Sequence, residues 1–389
     1  MTFSKEFLNN RFFEQQMLTV DHWETSLAED IGVTYRENGD VGICVFAPDE
    51  KEVVVELATN GLRKKRPEMK KCEDGCFRGV LAFDEEFTGP ANTLVFYDGI
   101  YAIDPHIPIC WTGNRPFNII EIPDPEGDYL LVKDVPHGTV SMNFFYAHSM
   151  NNFERCTVYT PAGYMKDGKE YPVLYLLNGG TDNETSWNNV GRMSNILDNL
   201  FAEGEAEPFI AVCANSMLRA GGRTDIARDT AFMRMLLDDL IPYIEENYRV
   251  KTGKWNRAIG GLSMGAYMTN DIALENPGLF GYVGTFTASM SQTPEQVKEQ
   301  YSNYERPYPK FFEEVTPEKF DEFFKVFFRS TTPQEDHLEL YLADDELYAK
   351  AGYDQAACYT RILYPERTSK WNSWRMGLRD YAKKIFRAG

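Results

Sequence analysis

The sequence predicts an α/β protein, a doubly wound and mostly parallel sheet, preceded by a small β-sandwich domain. Three observations carry this expectation. Short β segments bounded by turn residues fill residues 31–127, apolar strands alternate with helical stretches after that, and a Gly-x-Ser-x-Gly pentapeptide falls between one such strand and one such helix.

Residues 1–30 read as a helical lead-in. VGICVFAP (41–48), EVVVELATN (52–60), CFRGVLAFD (76–84) and NTLVFYDG (92–99) are rich in Val, Phe and Tyr and end at Gly, Pro, Asn or Asp, which predicts the sandwich over 31–127. EIPDPEGDY (121–129) reads as the linker, and the second domain runs over 128–389. There YPVLYLLNGG (171–180) is a buried strand entering a glycine turn, and PFIAVCANS (208–216) is another. Residues 230–248 read as one long amphipathic helix with Pro242 inside it. RAIGGLSMG (257–265), YVGTFTAS (282–289), LELYLADDE (338–346) and YTRILYPE (359–366) supply further strands, and their alternation with helices predicts a parallel sheet covered on both faces.

A chain of 389 residues, 43% hydrophobic and 14% aromatic, holds a large core and is comfortable as two domains. A formal net charge of −19 argues against nucleic acid and anionic membranes as partners, because both would repel it. It favours a neutral ligand or a basic partner, although a solubilising surface accounts for it equally well. The first twenty residues lack the apolar centre of a signal peptide and no run of 18 apolar residues occurs, so a cytoplasmic protein is expected. A secreted chain trimmed of its leader would read the same way. The seven cysteines are odd in number and scattered, and Cys72 and Cys76 have no second Cys or His pair beside them, so no metal site is implied.

Gly261-Leu262-Ser263-Met264-Gly265 is a nucleophile elbow of the α/β-hydrolase fold when it joins a strand to a helix. Residues 258–260 complete a strand, and 266–276 read as a helix stopped by Pro277. In so tight a turn side chains at the glycines would collide. The helix N-terminus then offers amides and a favourable dipole to a developing oxyanion, and the turn Asn178-Gly179-Gly180-Thr181 is placed to lend a second amide. The acid should follow the nucleophile at the end of a later strand. Asp344 and Asp345 close LELYLADDE, although aspartates at a strand end are also common loop residues.

Together these pieces resemble the feruloyl-esterase-like carbohydrate esterases, the esterase D-like α/β hydrolases, over nearly the whole chain. The resemblance rests on VYTPAGYMKDGKEYPVLYLLNGG, TSWNNVGRMSNILDNLFAEGEAEPFIAVC, GGLSMGAY, the DELY after the acid strand and the closing WNSWRMGLRDYAKKIF. The N-terminal half is similar to the sandwich module that precedes such esterases and occurs in starch-branching enzymes, FYDGIYAIDP (96–105) being its clearest trace. The resemblance implies Ser263 as nucleophile, Asp345 rather than Asp344 as acid, and Met264 with Gly180 or Thr181 as oxyanion donors. Asn178, Trp187 and Arg192 would flank the cleft. It implies no cofactor, and a small-molecule or oligosaccharide ester as substrate.

Two departures stand out. The family's catalytic histidine lies two residues before the Trp of its closing helix, and counting back from Trp371 gives Ser369. Asn178 stands where the family usually carries His. Of the five histidines, His22 and His106 fall in the N-terminal half, His137 in the joining stretch and His148 among the opening strands of the second domain. His337 would sit about 26 Å from Asp345 along a strand rising ~3.3 Å per residue. Lys370, beside the vacated position, is the tentative base, since Ser–Lys pairs occur and a desolvated lysine can lose its proton near neutral pH. A loop lysine is also commonly just solvated.

Losing a triad member costs ~10⁴ to 10⁶ in turnover, while the oxyanion hole and binding alone leave ~10³ to 10⁴ over water. Slow hydrolysis of activated esters is therefore compatible with this sequence. Three functions stay open: a serine carboxylesterase on feruloyl- or acetyl-type esters with a missing or altered base, a silent pseudoenzyme binding an acylated sugar or glycoside, and a scaffolding protein using the sandwich. In the binding reading, aromatic residues of 301–315 would line the old cleft. A homo-oligomer is left open.

Overall fold

The computed structural model describes residues 30–59, 63–112, 115–216, 231–287, 308–335, 338–365 and 370–387. The expected lead-in lies outside them except for Asp30. The chain divides into two compact units, Met1–Asp134 with Arg367–Asn372 and Val135–Glu366 with Ser373–Gly389.

In the first unit the described strands are β1 (Gly32–Tyr35), β2 (Val41–Phe46), β3 (Val53–Thr59), β4 (Arg63–Lys65), β5 (Lys70–Lys71), β6 (Cys76–Leu81), β7 (Gly89–Tyr97), β8 (Ile100–Ala102), β9 (Ile109–Thr112) and β10 (Arg115–Ile122). They form two antiparallel sheets, one in the order β1-β2-β6-β5 and the other β4-β3-β7-β10-β9 with β8 on β7. Alternate residues of each sheet point into one shared core. Val41, Ile43 and Val45 from the first sheet meet Val53, Val55, Leu57 and Val95 from the second.

The second unit holds one sheet of β11 (Thr139–Ala147), β12 (Asn152–Thr160), β13 (Val173–Leu177), β14 (Ile210–Ala214), β15 (Arg257–Leu262), β16 (Tyr282–Phe286), β17 (Val326–Thr331) and β18 (Tyr359–Leu363). Its order is β11-β12-β14-β13-β15-β16-β17-β18; β11 and β12 are antiparallel, and the six strands from β14 to β18 run parallel. Helices cover both faces, so β13 (VLYLL) and β14 (IAVCA) are buried at every position. The small residues of β15 and β16 have a packing reason. A Cβ at Gly284 would lie 2.8 Å from the ring of Tyr381, whose hydroxyl donates to the Ile259 carbonyl at 3.0 Å.

The helix expected over 230–248 is wound in three pieces, Ala231–Arg234, a π-helical stretch Met235–Leu240, and Ile241–Asn247. Pro242 brings no N–H to the ladder, and the backbone widens in the turns just before it.

One stretch departs from expectation. LELYLADDE is not a strand: it lies in the helix Leu338–Ala351, whose buried Tyr341, Asp344 and Tyr348 recur at helical spacing. The alternation L-E-L-Y-L imitates a strand, but the segment lacks the β-branched residues that hold one. The strand here is the earlier VFFRST, β17, buried at all six positions between β16 and β18.

Candidate active site

Ser263 links β15 to the helix Met264–Glu275 with φ 49° and ψ −118°, a conformation costly for a residue with a Cβ. The surroundings impose it. The Ser263 amide donates to the Phe286 carbonyl at 3.0 Å, and its own carbonyl accepts from Ala266 and Tyr267 at 2.9 and 3.2 Å, opening the helix. Both flanking glycines are obligatory. A Cβ at Gly261 would stand 2.5 Å from the Gly265 carbonyl oxygen, and one at Gly265 would stand 2.4 Å from that of Asn178. Because the latter obstacle is backbone, Gly265→Ala is expected to cost about 3 kcal/mol or more in a denaturant melt and to abolish any reactivity of Ser263.

The glycine turn after β13 lies against this elbow. A Cβ on Gly179 would be 3.4 Å from that of Ser263, and one on Gly180 would be 3.4 Å from the Met264 methyl carbon. Thr181 completes the turn with φ 71°. The first-turn amide of Met264 has no intrahelical partner, so elbow and turn lie together where the oxyanion corner is expected.

Three residues expected to flank the cleft are buried, and two of them brace the loops beside it. The Asn178 side chain accepts from the Ser216 amide at 3.0 Å and donates to the Gly179 carbonyl at 2.9 Å, tying the ends of β13 and β14. Trp187 has no exposed surface; its indole N–H donates to the Leu177 carbonyl at 2.9 Å and its ring meets Phe286 edge-on. Arg192 is buried at the start of the helix Met193–Ala202 with φ 58°. Sequence reasoning missed a third brace. The buried carboxylate of Glu184 pairs with Arg155 at 2.9 Å while its carbonyl accepts from the Thr157 hydroxyl at 2.7 Å, anchoring the loop after β13 on β12. Burial, with the Glu184 charge adding to it, raises the pKa of neighbouring Glu154. A lone Glu in a polar loop carries no sequence signal for this.

The setting of the expected acid also needs correction. Asp345 does not end a strand but sits within the helix Leu338–Ala351, and guanidinium groups hold both its oxygens. Arg329 of β17 reaches one at 2.9 Å, and Arg361 of β18 reaches the other at 2.8 Å. Arg329 is itself buried, lies over the rings of Tyr341 and Tyr348, and pairs with buried Asp344 at 3.5 Å. The carboxyl end of β17 leads instead into a loop carrying Glu335, followed by Asp336 and His337, which lie outside the described residues. Since the segment before Asp345 is helix from Leu338 onward, the strand spacing behind the 26 Å figure does not apply, and His337 itself lies outside the described residues.

Lys370 opens the helix Lys370–Ala382 and groups with the first unit. Ser369, His22 and residues 301–307 of the aromatic stretch 301–315 lie outside the described residues. His106 pairs with Asp104 in the sandwich. His137 pairs with buried Asp198 at 2.9 Å, and His148 packs edge-on against Tyr146 beyond the end of β11, so both belong to the far edge of the sheet from β15. Among the described residues no group of three or more His, Cys, Asp or Glu is arranged to hold a metal, and no helix is long and apolar enough to cross a membrane.

A model of the Esterase family matches residues 147–345. The chain is 36% identical over 267 residues to an endo-1,4-beta-xylanase/feruloyl esterase of Xylanibacter ruminicola, a match covering 66% of this chain and 36% of that protein. It is 30% identical over 131 residues to endo-1,4-beta-xylanase Y of Acetivibrio thermocellus, covering 31% of this chain and 12% of that one. The chain thus spans well under half the length of either relative. Among solved structures, a ferulic acid esterase of Anaeromyces mucronatus superposes with a TM-score of 0.54 at 21% identity, over 67% of this chain and 96% of that one. The enterobactin esterase of Shigella flexneri superposes with a TM-score of 0.60 at 14% identity, over 94% and 98%. These likenesses show the α/β-hydrolase fold.

Proposed function

The chain belongs to the Esterase family, and from that premise we propose that it is a serine carboxylic ester hydrolase acting on feruloyl- or acetyl-type esters of carbohydrates or phenolic glycosides, with a base other than the family histidine. The observation that carries the reading is the strained Ser263 elbow with a glycine turn packed on it. The likeness to the xylanase/feruloyl esterase supports the substrate class.

In this reaction the Ser263 hydroxyl oxygen attacks the ester carbonyl carbon. The carbonyl oxygen takes the negative charge and accepts hydrogen bonds from the Met264 amide and from Gly180 or Thr181. The serine proton passes to the base and then to the departing alcohol; water repeats the sequence on the acyl-enzyme and frees the acid. Lys370 is the base candidate. With a weak base, good leaving groups such as phenolates react first, because they need least help from an acid.

A serine-directed fluorophosphonate is expected to label wild type at Ser263, and Lys370→Ala should slow both labelling and ester hydrolysis. Ser369 at the histidine position favours a second reading, a silent binder of an acylated sugar. Retention of a feruloylated oligosaccharide with neither labelling nor turnover would select it.

A further inference from the structure

We propose that the free edge of β11 is a homodimer interface, two copies pairing antiparallel about a twofold axis at Asn143 to continue the sheet across both molecules. This goes beyond the catalytic reading and does not depend on it.

β11, TVSMNFFYA, spans nine residues without a charge, in a chain whose formal charge is −19. It ends the sheet, paired with β12 on one side and with no described strand on the other. The devices that normally blunt an exposed edge, a lysine or a proline, are absent from it. Its inner face is fixed. Phe145 stacks on Tyr243 at 5.3 Å, Asn143 accepts from the Tyr248 hydroxyl at 2.8 Å, and Asp239 clamps the following turn through the His148 and Ser149 amides. Its outer face is apolar and open: Val140, Met142, Phe144 and Tyr146 are 36, 43, 64 and 39% exposed, with Phe153 of β12 edge-on to Tyr146 at 5.1 Å.

Charge and register select the occupant. Two chains this acidic repel each other over most of their surfaces, and an uncharged strand is where copies can meet. Opposed residues in antiparallel pairing share a face, so a twofold at Asn143 sets Val140 against the copy's Tyr146 and Met142 against its Phe144. Every apolar side chain of the stripe then has an apolar partner. A shift by two residues either way leaves one of the four opposite a residue outside the stripe.

The test is sedimentation of the full chain at about 10 µM. Wild type is expected at twice the chain mass. Met142→Lys and Phe144→Glu should each bury an unpaired charge and raise the dimer Kd about a hundredfold or more, leaving well-folded monomers that melt cooperatively and somewhat below the dimeric wild type. Mixing the two variants should restore the dimer, because the introduced ammonium of one copy then faces the introduced carboxylate of the other, while the unchanged Phe144 of the first meets the unchanged Met142 of the second. A monomeric wild type overturns the proposal. So does a dimer indifferent to either charge, or a mixture of well-folded variants that stays monomeric.

Discussion

Ser263→Ala is expected to lower hydrolysis of p-nitrophenyl acetate and methyl ferulate to the residual rate that the oxyanion hole and binding alone sustain, and to abolish fluorophosphonate labelling, with no change in melting temperature. The elbow fixes φ at 49° through hydrogen bonds made by the Ser263 backbone, and alanine keeps all of them. Only the nucleophilic oxygen is lost. In an intact triad that loss costs ~10⁴ to 10⁶. Here wild type already lacks the family histidine, so the measurable drop is expected to be smaller, about 10² to 10³. Lys370→Ala measured alongside separates the base from the nucleophile: a parallel loss nominates the lysine, and an unchanged rate passes the proton to another group or to water. A wild-type rate equal to the Ser263→Ala background on both esters would overturn the hydrolase reading.

What is legible in the sequence is what local stereochemistry dictates. The glycines around Ser263 are needed by contacts within the turn and with the strand beside it, so the pentapeptide announces its own geometry. The runs that form β13 and β14 are apolar at every position, a pattern a strand buried on both faces must show. The element that carries Asp345 is misread from sequence because LELYLADDE satisfies two periods at once, and only the competing strand VFFRST decides between them. Asn178, Trp187 and Arg192 fail differently. Their positions beside the elbow loops are readable, but which way each side chain points depends on Ser216, the Leu177 carbonyl and Phe286, partners whose approach only the folded sheet defines.

The Arg329 cluster yields the largest expected stability effect and decides the role of Asp345. Arg329→Met removes the guanidinium between two aspartates, and Asp344, 1% exposed, is left charged with its cation gone. Breaking a buried pair in this way costs about 3–5 kcal/mol, which for a unit of this size is a fall of roughly 6–20 °C in melting temperature. Adding Asp344→Asn to Arg329→Met should recover part of the loss, since the stranded charge is then gone, and non-additivity between the two changes measures their coupling. Asp345→Asn should cost less, because its side chain is 28% exposed and partly solvated. If Asp345 serves the ion cluster, that variant melts a few degrees lower and hydrolyses activated esters within a few-fold of wild type. If it orients a catalytic base, turnover falls about 10²-fold or more at an unchanged melting temperature, and the two guanidinium groups must then release it when substrate binds.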